Sequence, residues 1–594
     1  MKHQPIARQP VQNQLARPAS TFDPLDGLAE TYDKLAMASI ARATSALSPA
    51  TFLQSFTDWA LHLSVAPGKQ MQLAAKAMRK AARLGDYALR RFGDADAEPA
   101  IEPLPQDRRF RDPAWQEYPF DMISQAFLLN QQWWDSATTG IQGMTRHHSD
   151  VMRFAVRQFL DIFAPTNFIA TNPLLQKRIA DTGGMCLFDG AAHLLEDMQR
   201  HFRGEPPVGA EDFPVGEKVA ITPGKVVYRN RLIELIQYAP TTDKVRPEPI
   251  MIVPAWIMKY YILDLSPHNS LVRWLTDQGY TVFILSWHNP DSADRDLDMA
   301  DYCRMGPMEA LDKIVEITGS ERVHGVGYCI GGTLLAIVAA ALAQDGDTRL
   351  ASLTFFAAQT EFSEPGELGL FIDDAQLALL ESMMWSRGYL DGGQMGGAFQ
   401  MLRSNDLVWS RILGTYLMGE RPPMNDLMAW NADGTRMPYA MHSQYLRQLF
   451  LHDDLAEGRF RLEGQTVSLT ALRQPMFVVG TERDHVAPWR SVHKIHMLTG
   501  APIRFLLTSG GHNAGIISEP GGKRRRFRVL DRPIDGAVYA PDEWLCHAEM
   551  FEGSWWTAWG EWLDEQSGEP VDPPPLGLGG QYLYDAPGYY VHER

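Results

Sequence analysis

Cysteine is scarce in this chain of 594 residues. The four cysteines lie far apart and form no C-x-x-C pair. This spacing indicates a reducing compartment, with no disulfide framework and no thiolate zinc site. Long apolar runs are also missing, because the longest, around 334–343, has about half of the ~20 residues that a membrane span needs. The N-terminus lacks the apolar core of a signal peptide. We therefore expect a cytoplasmic protein without a transmembrane segment.

Net positive charge is absent as well. The formal net charge is −17 at pH 7, a field that repels phosphate backbones and argues against nucleic-acid binding. The histidine pairs at 147–148 and 493–496 have no acids or cysteines at metal-ligand spacing nearby in the sequence, so we expect no metal site. The hydrophobic fraction of 45% is enough for a large core. The length predicts two units, or one unit with insertions.

The first third of the chain has few strand signals. Residues 1–30 are rich in Pro, Gln and Arg and predict a disordered tail. Helical patterns then predict a mainly α-helical N-terminal domain over 31–215. Within it, 68–92 carries seven Lys/Arg and one acid, which fits either a helix on an anionic surface or the solvated face of a bundle helix. The segment 93–107 has the composition of a linker.

From about residue 216 the sequence changes to short apolar runs separated by helical segments. The runs predicted as strands lie within 217–238, 249–256, 281–287, 323–329, 350–358, 475–484 and 502–512. Unbroken apolar strands with intervening helices indicate a parallel sheet covered on both faces. We predict one α/β domain over 216–594. The long interval at about 360–470 has its own helical patterns and predicts a cap inserted between two strands.

The stretch "GVGYCIGGT" at 325–333 has the form of a nucleophile elbow, Gly-x-Nuc-x-Gly, with Cys329 as the nucleophile. A strand turns sharply into a helix there and exposes the nucleophile. Gly327 and Gly331 are needed because side chains at these positions would collide with the neighbouring strand and helix. The backbone amide of Ile330 is predicted to face the developing oxyanion.

A thiol with an ordinary pKa of about 8.5 needs a base. In elbow enzymes the acid and the histidine follow the nucleophile, each in a loop after a strand. Asp484 and His512 satisfy this order and both follow apolar runs. The second oxyanion amide should come from the loop after the run 249–253, near Trp256 or at Ile257. The pattern predicts an α/β-hydrolase fold with a cap or lid insertion after a helical domain.

The sequence also resembles a known family, the polyhydroxyalkanoate synthases, in particular the single-subunit class similar to poly(3-hydroxybutyrate) polymerases. The segments that carry the resemblance are "RFRDPAWQEYPF" (109–120), "NFIATNP" (167–173), "TPGKVVYRN" (222–230), "YYILDLSPHNSLV" (260–272), "SWHNPD" (286–291), "GYCIGG" (327–332), "WNADGTRMP" (430–438), "GTERDHVAPW" (480–489), "SGGHNAGI" (509–516) and "GSWWTAW" (553–559). Residues 1–100 and 521–539 depart from the expected pattern.

The resemblance implies that Cys329 carries the acyl group, that His512 is the general base and that Asp484 is its acidic partner. It implies an (R)-3-hydroxyacyl-CoA substrate, with 3-hydroxybutyryl-CoA favoured, and a polyester product with release of coenzyme A. No cofactor is implied, since the coenzyme A thioester is substrate. A homodimer at the surface of cytoplasmic polymer granules is also implied. Two alternatives stay open: a cysteine-elbow hydrolase (thioesterase or polymer esterase), and a non-catalytic granule-associated homologue.

Several features have two interpretations. Trp430 fits either a dimer or cap contact or a core residue. The helical face of Trp555, Trp559 and Trp562 fits packing on the catalytic domain better than contact with polymer. The basic run 523–528 is a candidate for binding coenzyme A phosphates, although a solvated loop fits it better. The cap fits either a mobile lid or an ordinary packed layer.

Overall fold

The computed structural model describes residues 24–94, 96–402 and 404–594. In this part, seven α-helices precede the first strand: α1 (Pro24–Ala43), α2 (Pro49–Ser64), α3 (Pro67–Gly93), α4 (Phe120–Thr138), α5 (Arg146–Ile162), α6 (Pro173–Asp181) and α7 (Met185–Arg203). Proline occupies the first turn of α2, α3 and α6, where its fixed φ suits the helix and its missing N–H is not required. The predicted tail lies outside the described residues up to residue 23. Residues 24–30 belong to α1, so the tail prediction is wrong for them.

The basic helix predicted at 68–92 is α3, and its cations bind other parts of the bundle. Lys69 Nζ donates to the carbonyl of Thr139 at 2.6 Å. Arg91 forms an ion pair of 2.7 Å with the buried carboxylate of Asp121. These partners lie in or directly after α4, which packs alongside α3. The structure therefore favours a bundle helix over a helix that lies on an anionic surface.

The rest of the chain is organised around a twisted mixed sheet. The strands are β1 (Gly224–Arg229), β2 (Ile233–Tyr238), β3 (Ile250–Val253), β4 (Val282–Trp287), β5 (Val323–Tyr328), β6 (Leu350–Phe356), β7 (Tyr389–Leu390), β8 (Met437–Pro438), β9 (Arg461–Leu462), β10 (Gln465–Thr466), β11 (Met476–Thr481), β12 (Ile503–Thr508), β13 (Arg526–Arg532), β14 (Glu549–Glu552) and β15 (Tyr584–Asp585). Among the described residues, eleven of them form one sheet in the order β14-β13-β12-β11-β6-β5-β3-β4-β2-β1-β15. The predicted apolar strands are confirmed.

The middle of the sheet is parallel. Strands β4, β3, β5, β6, β11 and β12 pair in parallel, and antiparallel strands extend the sheet on both sides. Every residue of β3, β4, β5 and β6 is buried. Such strands need cover on both faces. Their carboxyl ends meet at one edge of the sheet, where ligands bind in open α/β folds.

Helices cover the sheet and form the inserted segment. They are α8 (Leu271–Asp277), α9 (Met299–Cys303), α10 (Glu309–Thr318), α11 (Ile330–Gln344), α12 (Asp374–Arg387), α13 (Gly392–Leu402), α14 (Asp426–Asn431), α15 (Tyr439–Gln444), α16 (Trp489–His493), α17 (Ile495–Leu498), α18 (Pro541–His547) and α19 (Trp555–Glu565). The helical segment over 299–318 is divided by a π-helical turn at 304–308 that contains Pro307, since proline lacks the N–H of a regular helix. No helix of the described chain is both long and apolar enough to cross a bilayer.

The insertion between β6 and β11 contains α12–α15, the short strands β7–β10 and three π-helical turns at 405–409, 412–417 and 445–451. It also contacts the N-terminal helices. The backbone N–H of Ser48 donates to Gln376 Oε1 at 2.8 Å, and Thr51 Oγ1 donates to Asp373 Oδ1 at 2.9 Å. The helical bundle therefore packs on the insertion, with α1 lying against α12.

The segment 521–539, which departs from the expected family pattern, contributes a strand to the main sheet. It contains β13, which pairs with β12 on one side and β14 on the other, both antiparallel. In the sequence "RFRVLDR" at 526–532, Phe527 and Arg532 are buried and the residues between them are partly or fully exposed.

Candidate active site

Cys329 is the single residue between β5 and α11. Its backbone has φ 54° and ψ −128°, a conformation that costs a non-glycine residue about 1–3 kcal/mol. The Cys329 N–H donates to the carbonyl of Phe356 at 2.9 Å, which fastens the turn to the end of β6. The side chain is only 6% exposed. This strained strand–turn–helix junction has the geometry predicted for a nucleophile elbow.

The two glycines of the elbow permit close backbone approach. A Cβ on Gly327 would lie 2.3 Å from the Cα of Gly332, and a Cβ on Gly331 would lie 2.3 Å from the carbonyl oxygen of Val253. Both distances are far below van der Waals contact, so no side chain fits at either position. The predicted steric role of Gly327 and Gly331 is confirmed. As a result α11 begins directly against the end of β3.

Asp484 and His512 meet beside this turn. Asp484 follows β11 and His512 follows β12, and these neighbouring parallel strands end at the same edge. His512 Nδ1 lies 2.7 Å from Asp484 Oδ2. The backbone N–H groups of Val486 and Ala487 donate to the other carboxylate oxygen at 2.9 and 2.8 Å. The carboxylate is thereby fixed in position and fully buried.

The imidazole connects the carboxylate to the thiol. Because Nδ1 faces Asp484, Nε2 is the ring nitrogen available to Cys329, with which His512 interacts electrostatically. Burial by itself would lower the pKa of His512. The negative charges of Asp484 and of a Cys329 thiolate outweigh burial and raise this pKa well above its ordinary value. Burial would raise the pKa of Asp484, but His512 and the two backbone amides hold it below its usual range. The three predicted catalytic residues therefore form one connected group.

A cavity of about 20 Å³ adjoins Cys329, with room for about one water molecule. Its lining residues are Cys329, Ile330, Thr333, Ala357, Gln359, Phe362, Leu368, Tyr445, Phe450, Val486 and Ala487. Tyr445 and Phe450 come from the π-helical turn of the insertion. Hydrogen bonds of a π-helix join residues five apart, and this winding places both rings on the cavity side. A substrate much larger than water does not fit inside this cavity as it stands.

The two predicted oxyanion donors lie next to the elbow. Ile330 is the first residue of α11, and first-turn amides have no partner within their own helix. Ile257 lies in the loop after β3, and its carbonyl accepts from the Thr435 N–H at 3.3 Å. A Cβ on Gly331 would also meet the Pro254 carbonyl, so this loop borders the elbow. The roles of the Ile330 and Ile257 amides remain predictions.

Arg525 holds the loop that follows His512, a role that sequence reasoning did not find. Its Nη1 donates to the carbonyl of Ala514 at 2.7 Å, and its Nη2 donates to the carbonyl of Ile517 at 2.9 Å. A planar guanidinium can span two carbonyls in this way. The only sequence signal was the basic run 523–528. Arg525 bonds protein carbonyls there, which argues against a phosphate-binding role for this residue.

Two indole N–H groups of α19 hold the same loop from another direction. Trp555 Nε1 donates to the carbonyl of Gly515, and Trp556 Nε1 donates to the carbonyl of Ile516, both at 2.9 Å. Four consecutive carbonyls, 514–517, thus accept side-chain donors. The predicted packing of the tryptophan face on the catalytic domain is confirmed, because Trp555, Trp556, Trp559 and Trp562 are all buried.

We expect Arg525→Met to lower turnover about ten-fold with little change in KM, because the loop that carries His512 loses two donors. Arg525→Lys should recover part of the loss, since one ammonium can serve one of the two carbonyls. Arg524→Met is the matched control, because this neighbouring side chain is exposed. Steady-state kinetics well below the melting temperature of each variant make the comparison. Equal turnover in the Arg525→Met and Arg524→Met variants would contradict a positioning role.

Trp430 is a core residue. Its side chain is 3% exposed, and its Nε1 donates to the carbonyl of Lys259 at 2.7 Å. This bond joins α14 of the insertion to the loop after β3. Of the two interpretations, packing within the chain is therefore the one that the structure supports.

The histidine pair at 147–148 has acid partners that the sequence did not reveal. His148 Nδ1 lies 2.6 Å from Asp58, and His147 Nε2 lies 3.4 Å from Asp373. These acids are not near the pair in the sequence, because α2 and the insertion supply them from distant positions. Both contacts tie helices together, which is the structural role predicted. In the described residues no three His, Cys, Asp or Glu side chains are grouped as metal ligands would be.

Family models cover most of the chain. Residues 27–69 match "Poly-beta-hydroxybutyrate polymerase N terminal", and residues 106–275 match "Poly-beta-hydroxybutyrate polymerase (PhaC) N-terminus". Residues 248–517 match "alpha/beta hydrolase fold", which confirms the predicted fold class. For residues 27–69, this match corrects the expectation that residues 1–100 depart from the family.

Curated relatives give the same assignment. The poly(3-hydroxyalkanoate) polymerase of Methylorubrum extorquens is 40% identical over 89% of this chain and 87% of its own length. The poly(3-hydroxyalkanoate) polymerase subunit PhaC of Cupriavidus necator is 33% identical over 86% of this chain and 89% of its own length. Among solved structures, Paleococcus ferrophilus monoacylglycerol lipase covers 47% of this chain and 90% of its own, with 12% identity and a TM-score of 0.30, so the assignment depends on the sequence matches. The chain belongs to the poly(3-hydroxyalkanoate) polymerase family.

Proposed function

We propose that this chain polymerises (R)-3-hydroxyacyl-CoA into a polyester and releases coenzyme A. The observation that carries the proposal is the placement of Cys329 in a strained elbow, beside an imidazole that Asp484 orients at 2.7 Å. The chain holds this group within a family whose relatives are named polymerases. A nucleophile, a base and a fixed acid are the parts that acyl transfer requires.

The first step transfers the acyl group to the enzyme. His512 Nε2 takes the proton of the Cys329 thiol, and the thiolate sulfur attacks the thioester carbonyl of the substrate. A carbon–sulfur bond forms, and the carbonyl oxygen becomes an oxyanion that faces the amides proposed for Ile330 and Ile257. The bond to the coenzyme A sulfur then breaks, and the imidazolium returns its proton to that sulfur. Asp484 stabilises the imidazolium throughout.

The second step lengthens the chain. The 3-hydroxyl of the next monomer, or of the growing chain, attacks the acyl carbon held by Cys329. A carbon–oxygen bond forms and the bond to the Cys329 sulfur breaks. The hydroxyl proton passes through His512 to the departing thiolate, so the enzyme returns to its starting form.

A thiol suits this sequence of transfers better than a hydroxyl. The substrate is a thioester, and transfer to Cys329 makes another thioester, so little acyl-transfer potential is lost. A serine at this position would form an oxygen ester, which is a product-like bond that resists further transfer. The potential stored on sulfur then drives attack by the next hydroxyl.

The small cavity suits a reaction in which water competes with a hydroxyl. It has room for about one water beside Cys329, and Tyr445 and Phe450 from the insertion form part of its wall. An acyl-CoA enters only if the insertion is displaced. We propose that the insertion acts as a lid that opens for substrate and excludes bulk water when closed.

Further parts of the proposal concern substrate size, cofactor, partners and place. The small cavity favours short acyl groups, with 3-hydroxybutyryl-CoA as the preferred monomer. We also propose that no cofactor takes part, since the catalytic residues and the thioester together supply every reacting atom. A homodimer that works at the surface of cytoplasmic polymer granules completes the proposal, and it is supported by the family alone.

The test uses the purified full-length chain and (R)-3-hydroxybutyryl-CoA. We expect coenzyme A, measured with a thiol reagent, to appear together with insoluble polymer. Soluble 3-hydroxybutyrate in place of polymer would instead identify a hydrolase. Absence of coenzyme A release would identify a non-catalytic homologue, and either result would overturn the proposal.

A further inference from the structure

Two buried side chains near the catalytic cavity have polar atoms without a hydrogen-bond partner in the described part of the protein. These atoms are the indole Nε1 of Trp256 and both ring nitrogens of His442. Trp256 is 2% exposed and His442 is 1% exposed. Burying an unpaired polar group costs about 1–3 kcal/mol. Such groups in a folded protein call for an explanation.

Both side chains contact the same wall of the cavity. The ring of Trp256 lies 6.0 Å from the ring of Tyr445, and the ring of His442 also lies 6.0 Å from it, centroid to centroid. Tyr445 lines the cavity next to Cys329 and is close enough to interact electrostatically with its sulfur. The unpaired nitrogens therefore belong to rings that contact Tyr445, which itself lines the cavity beside Cys329.

The two donors come from opposite parts of the fold. Trp256 belongs to the loop after β3, beside the proposed oxyanion donor Ile257. His442 belongs to α15 of the insertion, directly before the π-helical turn that carries Tyr445. A displacement of the insertion would therefore separate them and would open a space whose walls carry N–H groups on both sides.

The chemistry of the acyl chain fits such walls. A single 3-hydroxyacyl unit on Cys329 has one carbonyl, the thioester carbonyl that faces the oxyanion donors. From the second unit onward each added unit brings an ester group, whose oxygens accept hydrogen bonds and donate none. Trp256 Nε1–H is a donor only, and a neutral imidazole has one donor nitrogen. Unpaired buried donors are the complement of such a chain.

We propose that Trp256 and His442 form a subsite that donates hydrogen bonds to the ester carbonyls of an acyl chain of two or more units held on Cys329. This inference rests on the proposed function, since it assigns a place to the growing polyester. The subsite distinguishes two phases of the reaction. Acylation by the first monomer does not use the subsite, whereas each later elongation does.

The test replaces the donor while keeping the side-chain volume. His442→Met removes both nitrogens, and His442→Gln retains an amide donor. With (R)-3-hydroxybutyryl-CoA we expect His442→Met to slow steady-state coenzyme A release about ten-fold, while the first equivalent of coenzyme A appears at the wild-type rate in rapid-quench measurements. His442→Gln should recover most of the elongation rate, and a shorter polymer should accompany the slower variant.

The matched control is His496→Met. His496 is also buried with an unpaired ring nitrogen, but its ring contacts His493 and Phe505, and neither of these residues lines the cavity. Thermal unfolding should show that both methionine variants are as stable as the wild type or more stable, because each loses a buried unpaired polar group. His496→Met should keep the wild-type elongation rate.

Three outcomes overturn the subsite. One is an elongation rate for His442→Met within about two-fold of wild type. Another is an equal slowing of the first acylation and of elongation, which indicates general damage to the site. The third is equal slowing by the Gln and Met variants, which indicates that shape rather than the donor matters. If the wild type releases coenzyme A but makes only soluble acid, the proposed function itself fails, and the subsite fails with it.

Discussion

Cys329→Ala is expected to abolish both polymer formation and coenzyme A release. Base catalysis contributes about 10²–10⁴-fold and oxyanion donors roughly 10²–10³-fold, but neither acts without the sulfur that receives the acyl group. Cys329→Ser should leave at most a trace of activity, because the elbow then forms an oxygen ester that does not pass on its acyl group. Polymer yield and coenzyme A release by the purified variants measure both effects.

A matched control comes from another buried cysteine. Cys303 is fully buried, and burial raises the pKa of its thiol well above the ordinary value, so it should remain protonated and inert. Cys303→Ala should therefore polymerise at a rate close to wild type. Mass spectrometry of enzyme quenched during turnover should place the acyl group on the peptide that contains Cys329. An adduct confined to any other residue would contradict the mechanism.

Asp484→Asn is expected to reduce turnover by a factor of ~10²–10⁴. The amide keeps the shape of the side chain but removes the charge that favours the imidazolium. Because burial then dominates, the pKa of His512 should fall, and NMR titration of its ring protons in a Cys329→Ala background can measure the change. Glu482→Gln is the control, since Glu482 lies in the same loop but pairs with Arg526 at 3.1 Å. Equal turnover in the Asp484→Asn and Glu482→Gln variants would remove Asp484 from the mechanism.

The pKa shifts of Asp484 and His512 predict a pH range in which this pair stabilises the fold. The folded-state pKa of Asp484 is depressed, so its contribution is present above the unfolded value of about 3.9 and is lost as the pH falls through the folded value. The folded-state pKa of His512 is raised, so its contribution is complete below about 6.5 and is lost as the pH rises through the raised value. The stability difference between wild type and Asp484→Asn should therefore be largest between about pH 4 and 6.5. Urea unfolding across this range measures it, and a constant difference would contradict the assigned shifts.

The fold and the catalytic group could be predicted because their signals are local. Each strand of the parallel sheet is an unbroken apolar run, and Cys329, Asp484 and His512 each follow such a run directly. Chain order and strand ends then bring these three residues to one edge of the sheet. No contact between distant segments had to be guessed.

Features that depend on long-range contacts could not be predicted in this way. Arg525 looked like part of a solvated basic run, because nothing nearby in the sequence reveals that its partners are the carbonyls of Ala514 and Ile517. His147 looked unpaired because Asp373 is distant in the sequence. The π-helical turn at 445–451 also has no local signature, and its rings contact side chains distant in the sequence, such as Trp256 and Phe362.

The contact between the N-terminal helices and the insertion has a mechanical consequence. Ser48 and Thr51 bond to Gln376 and Asp373 of the insertion, and α1 lies along α12. If the insertion swings outward, it must either detach from the bundle or take the bundle with it. The rate at which the insertion opens therefore depends on side chains far in sequence from Cys329. Shortening the amino-terminal segment would change how often monomer reaches the cavity, while the catalytic residues stay the same.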